Sequence, residues 1–197
     1  CNAAEPAPHV NCTTTPMETL TDAVRLALEQ AAPERAVGSW CHASGINIAG
    51  HDQRTGEPYV TMILASLIGG AGATAHLDGW NSVGPQCCFG ALSSGDIEIM
   101  EYSYPIQIHR YGLVPDSGGA GYHRGGCATV WEVEPLDHEM TAISFGEGRL
   151  YPALGANGAQ SACPELKLGR VERKQGEDIT EVMRSNAILT VQPGERV

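Results

Sequence analysis

Basic side chains are scarce in this sequence: 12 lysines and arginines stand against 23 acidic residues, for a formal net charge of −11. Such a surface repels phosphate backbones and anionic bilayers, which argues against nucleic acid or membrane headgroups as partners. No apolar run approaches the ~20 residues that span a bilayer. The opening CNAAEPAPHV has neither the basic nor the apolar region of a secretion signal. A cytoplasmic protein is expected. The seven cysteines form no CxxC pair and no regular framework, so free thiols in a reducing compartment fit better than disulfides or a zinc knuckle. The Asn11-Cys12-Thr13 sequon stands alone, with nothing else pointing to secretion. Neither glycine-rich loop carries GK[ST] or sits clearly between a strand and a helix, so nucleotide binding by this chain alone is not expected.

What is present reads as globular. With 42% apolar and 18% charged residues over 197 positions, one domain spanning residues 1–197 is expected. One helix is well signalled: Thr15 as cap, Pro16 at the first helical position and Glu18 to close a capping box. Its apolar stripe of Met17, Leu20, Val24, Ala27, Leu28 and Ala31 predicts packing against a sheet, and Pro33 ends the run. Strands are predicted at YVTMILA (59–65), DIEIME (96–101), PIQIHRY (105–111), ATVWEVE (128–134), TAISF (141–145), ELKLGRVE (165–172) and AILTV (187–191). The fold class expected is α+β, mainly antiparallel β with one well-signalled N-terminal helix.

Two glycine-rich loops hold most of the candidate chemistry, IGGAGATAHLDGW (68–80) and DSGGAGYHRGG (116–126), the latter with five glycines in eleven residues. Glycine clusters mark positive φ or the close approach of another backbone or a ligand. His76, Asp78, Asp116, His123 and Arg124 lie on these loops and are the candidate catalytic residues. His76-Leu77-Asp78, if extended, puts imidazole and carboxylate on one side, suiting a metal-ligand pair or a base with its orienter. The same pattern suits a turn in which Asp78 accepts backbone N–H bonds. Asp116 and Arg124 equally suit a structural ion pair. Cys87-Cys88, within CCFGAL, reads as small buried hydrophobes. Gly146-Glu147-Gly148-Arg149 reads either as a mobile carboxylate or as an exposed turn.

GEPYV (56–60), IGGAGA, DGWN (78–81), SGDIEIMEYSYPIQIHRYGL and PDSGGAGYHRGG, occurring in that order, resemble the B-type subunit of the hydantoinase and oxoprolinase family. That family includes acetone and acetophenone carboxylase large subunits and lactam-opening caprolactamases. The resemblance implies that this sequence is the C-terminal portion of a longer subunit, whose preceding part carries the His and Asp residues assigned to a divalent metal such as Zn or Mn. It also implies a hetero-oligomer with an A-type subunit of the actin-like ATPase class, which would hold ATP and Mg.

Three functions follow as expectations. The first is ATP-coupled hydrolysis of a cyclic amide such as a hydantoin, lactam or oxoproline, with the ATPase in a partner. The second is ATP-dependent ketone carboxylation, and the third a non-catalytic scaffold role. On any of them a complete metal shell in this chain alone is not expected, since it offers one HxD pair and scattered histidines. The chain is not expected to be stable outside its complex. The start at Cys1 suggests proteolysis, a sequence that simply opens there, or self-cleavage that would free an N-terminal nucleophile.

Overall fold

In a computed structural model, the structure describes residues 15–63, 68–146, 148, 151–162, 170–172, 180–182 and 187–197. Helix α1 (Thr15–Ala31) and a 3₁₀ turn (Pro33–Arg35) lead into strands β1 (Ser44–Asp52) and β2 (Glu57–Ile63). A second 3₁₀ turn (Gln86–Cys88) and a short helix α2 (Ile97–Ser103) precede β3 (Ile106–Leu113), β4 (Thr129–Pro135) and β5 (Met140–Gly146). Strands β6 (Arg170–Glu172), β7 (Thr180–Val182) and β8 (Ile188–Val191) complete the order. All named pairings are antiparallel: a sheet of order β2-β1-β5-β8, the β3–β4 pair and the β6–β7 pair. The α+β expectation holds.

The core lies where the four-stranded sheet meets β3–β4. Ile46, Ile48, Ile63, Met140, Ala142 and Val191 from the first pack with Ile106 and Val133 from the second. Val197 joins them, and its backbone exchanges two hydrogen bonds with Val133 (2.8 and 3.0 Å). Register explains the selection, because Ile46 stands opposite Ile63 and Ile48 opposite Ala142, so the period-2 alternation sends all four to one face.

Segment 96–101 is a correction. It is not a strand: Asp96 caps α2, its Oδ1 accepting from the backbone N–H groups of Glu98 (3.0 Å) and Ile99 (3.3 Å). Alternating Ile97 and Ile99 mimic a strand, but Asp96 satisfies orphan donors that only a helix start presents. At helical spacing Ile97 and Met100 turn together toward Ile63, Ile108 and Trp131 around a small apolar pocket, while Ile99 faces solvent. Glu101 then fastens α2 to β3 by accepting from the N–H of Ile108 at 2.7 Å. Strand β1, central in its sheet, was not anticipated, because Gly45 and Gly50 interrupt its pattern. Gly50 is required there, since a Cβ would lie 2.7 Å from the His138 ring.

His138 is buried, with Nε2 2.7 Å from the Tyr59 hydroxyl and Nδ1 without a partner among the described residues. Burial holds its pKa below the usual histidine value, against the raising pull of Asp52 and Asp137. Burial, then the Asp52 charge, pushes the Tyr59 phenol up to about 12. Below pH ~6.5 the unfolded chain therefore binds a proton that the folded chain refuses. This contribution to stability is complete above pH ~6.5 and declines as the pH falls toward the folded pKa. Melting curves between pH 8 and 5 are expected to show that decline in the wild type and a shallower one in His138→Gln.

The fold also overturns one expectation about α1, since its apolar stripe does not pack on a sheet. Its opposite face is the fastened one. The Thr15 side chain of the predicted capping box lies outside what is described; Glu18 is buried, and its Oε1 accepts from the Cys87 N–H at 2.6 Å. His42 Nε2 lies 2.7 Å from Asp22, Arg25 donates to the Val37 carbonyl (2.6 Å) and Ser39 (2.8 Å), and Glu29 accepts from the Asn157 N–H (2.8 Å). Burial alone would raise the Asp22 pKa, but hydrogen bonds from His42 and Ser39 and the charges of His42 and Arg25 hold it below the carboxylate norm. Glu18→Ala removes the acceptor of the part-buried Cys87 N–H and is expected to cost about 1–3 kcal/mol of stability, read from denaturant unfolding.

Candidate active site

The two glycine-rich loops run against each other as extended segments. Ala71 donates to the Trp80 carbonyl and accepts from the Gly126 N–H, while the Gly79 N–H donates to the Arg124 carbonyl (2.8–2.9 Å). The glycines answer to this packing: a Cβ at Gly79 would fall on the Ala71 carbonyl, and one at Gly126 on the Trp80 carbonyl. The close approach is backbone on backbone.

That slab brings Asp78 beside His123 and Arg124. Asp78 Oδ1 accepts from the Arg124 N–H at 3.1 Å and lies 3.3 Å from His123 Nδ1; its Oδ2 is 3.7 Å from Arg124 Nε. The His123 ring is largely covered and makes an edge contact with Tyr122, centroids 4.9 Å apart, whereas Asp78 and Arg124 are more than half exposed. With Nδ1–H given to the carboxylate, Nε2 is the basic nitrogen. The cluster is thus an imidazole oriented by a carboxylate, with a guanidinium alongside.

The other candidates stand apart. Residues 75–77 form a bend in which Thr74 Oγ1 accepts from the N–H groups of His76 (3.2 Å) and Leu77 (3.1 Å), so the extended His76–Asp78 arrangement does not form. Asp116 is exposed at φ +55°, and Arg124 pairs with Asp78 instead of with it. Asn81 was not singled out, yet its Oδ1 accepts from the Cys127 N–H at 2.7 Å, so both polar residues of DGWN hold the 124–127 backbone.

Cys88 and Cys127 are free thiols. The Cys87 thiol pKa is pushed up by burial first and then by Glu18 and Cys88, an inert thiol. Cys1, Glu147 and Arg149 lie outside the described residues, as do the Asn11 sequon, residues 64 and 65 of the predicted strand 59–65 and most of 165–172. Among the described residues no three His, Cys, Asp or Glu side chains converge as a metal centre, so these residues do not by themselves fit the divalent metal implied by the resemblance. No helix among them is long and apolar enough to cross a membrane.

Comparison with known proteins follows the same lines. The chain is 64% identical over 198 residues to caprolactamase subunit beta of Pseudomonas jessenii, covering all of this chain and 34% of that protein. It is 39% identical over 93 residues to 5-oxoprolinase 1 of Arabidopsis thaliana, covering 47% of this chain and 7% of the relative. The crystal structure of the ATP-dependent caprolactamase from Pseudomonas jessenii superposes with a TM-score of 0.84 at 57% identity, over 100% of this chain and 34% of that one. A nucleotide-free acetone carboxylase structure gives 0.64 at 18% identity over 86% of this chain and 26% of that one, a likeness of fold alone. The chain therefore spans about a third of the length of its caprolactamase relative. A family model described as Hydantoinase B/oxoprolinase matches residues 1–197, and the chain belongs to that family.

Proposed function

We propose that this chain forms part of an ATP-dependent hydrolase of cyclic amides, with a lactam of the caprolactam type as substrate and the ATPase in a partner subunit. The observation that carries the proposal is the 64% identity to a caprolactamase beta subunit along the whole chain. An unactivated amide is a poor electrophile. Phosphoryl transfer from ATP to the lactam oxygen would turn that oxygen into a leaving group. Water then adds to the carbon and the C–N bond breaks as the nitrogen takes up a proton, leaving an acyl phosphate; a second water attacks its carbon and releases the former lactam oxygen with phosphate, so that amino acid, ADP and phosphate result.

In this reading His123 Nε2 takes the proton of the attacking water while Asp78 orients the ring and stabilises its cation. Arg124 offers charge to the phosphorylated oxygen. Asp116 and His76, without side-chain contacts to this cluster, would reach substrate only in the assembled subunit. The remaining two thirds of a full-length subunit and the A-type ATPase complete the enzyme, with ATP and Mg on the ATPase. A divalent metal, if used, would be held mainly by the remaining two thirds. Assaying the assembled complex for ATP consumption with lactams, hydantoins, and ketones plus bicarbonate tests the proposal. Lactam opening coupled to ATP is expected, and turnover on a ketone alone would overturn it.

A further inference from the structure

Helix α1 is inside out. Its four charged residues, Glu18, Asp22, Arg25 and Glu29, face the body of the protein, with side chains at most 18% exposed. Met17, Leu20, Val24 and Leu28 are 46, 48, 51 and 63% exposed, and Ala27 and Ala31 beside them are exposed too. At about 100° per residue the two sets are centred roughly 140° apart around the helix. The exposed sector carries no charge at all. A helix that met water on this side would show the reverse pattern. The polar anchors to Cys87, His42, Val37, Ser39 and Asn157 fix the rotation of the helix, so the stripe cannot turn inward without breaking them.

We infer that this stripe is the docking face for the remaining two thirds of the subunit, a contact made within one polypeptide. The inference rests on the proposal that the chain is part of a longer subunit, and it names the surface by which the two parts join. Two observations favour this occupant over a second copy or the ATPase. Two thirds of the relative that matches this chain throughout lies beyond the matched region. The stripe also has the uncharged, aliphatic character of a permanent interface, a core cut in half, and lacks the polar admixture of contacts that form and dissociate.

The test is chemical accessibility, which needs neither turnover nor ATP and so fails separately from the functional proposal. Leu28→Cys is introduced into the full-length subunit, purified without the ATPase, and treated with a water-soluble maleimide; peptide mapping reads the rate at that site. Val24→Cys repeats the measurement should the first variant not fold, and Thr55→Cys, in the exposed β1–β2 turn, supplies the reference rate. Labelling of the stripe is expected to be at least about 100-fold slower than the reference, since only local opening would expose it. The inference is overturned if the stripe labels as fast as Thr55→Cys. Protection that appears only when the ATPase is added, or that vanishes on dilution as a dimer dissociates, assigns the face to another occupant and overturns it equally.

Discussion

His123→Ala, in the assembled complex, is expected to lower kcat by roughly 10²–10⁴-fold, the range lost when a positioned acid–base group is removed. Steady-state kinetics with lactam and ATP would show this with little change in the KM for ATP, because the proposed function puts the imidazole in this chain and the nucleotide in a partner. Asp78→Asn refines the expectation. The amide oxygen can still accept from the Arg124 N–H, now 3.1 Å away, but the charge that would stabilise an imidazolium is gone. A loss of turnover with an unchanged melting temperature therefore separates orientation of His123 from support of the loop. Full turnover in both variants would remove the cluster from the chemistry and favour the scaffold role.

Gly126→Ala is expected to be among the most damaging single-methyl changes to the fold, at about 3 kcal/mol or more. Its Cβ would meet the Trp80 carbonyl and would also lie 2.9 Å from the Gly70 Cα, so backbone rather than a flexible side chain must move. Gly79→Ala should cost a similar amount, with its Cβ on the Ala71 carbonyl and 2.5 Å from the Gly126 nitrogen. Gly112→Ala is the control, with no atom within 4 Å of an added Cβ. Unfolding in denaturant separates the three, and equal stability of all of them would contradict the slab packing.

The sequence foretold different parts of this molecule to different depths. Helix α1 was legible because its first-turn proline, its regular apolar spacing and the terminating Pro33 are local signals, and most strands because alternation maps onto faces. Strand β1 was not, since Gly50 makes way for His138, which lies almost ninety residues further along. Residues 96–101 were misread because Ile97 and Ile99 fit the strand period while Ile97 and Met100 fit the helical one, and only the Asp96 cap decides. The same limit applied to the candidate site. Composition marked both loops as tight, but their mutual packing pairs Asp78 with His123 and Arg124 and leaves His76 and Asp116 aside. The stripe on α1 was correctly seen as apolar and wrongly placed inward. Nothing local reveals that the buried partners of the helix are its charges.

The proposed function requires that ATP activate the lactam oxygen in an enzyme built around this chain. Its most direct test is to turn over caprolactam carrying ¹⁸O at the carbonyl in the assembled complex and to examine the released phosphate by ³¹P NMR. One labelled oxygen in the phosphate, formed in step with amino acid, is the predicted result. Ring opening with the label wholly retained in the carboxylate and none in the phosphate would contradict it.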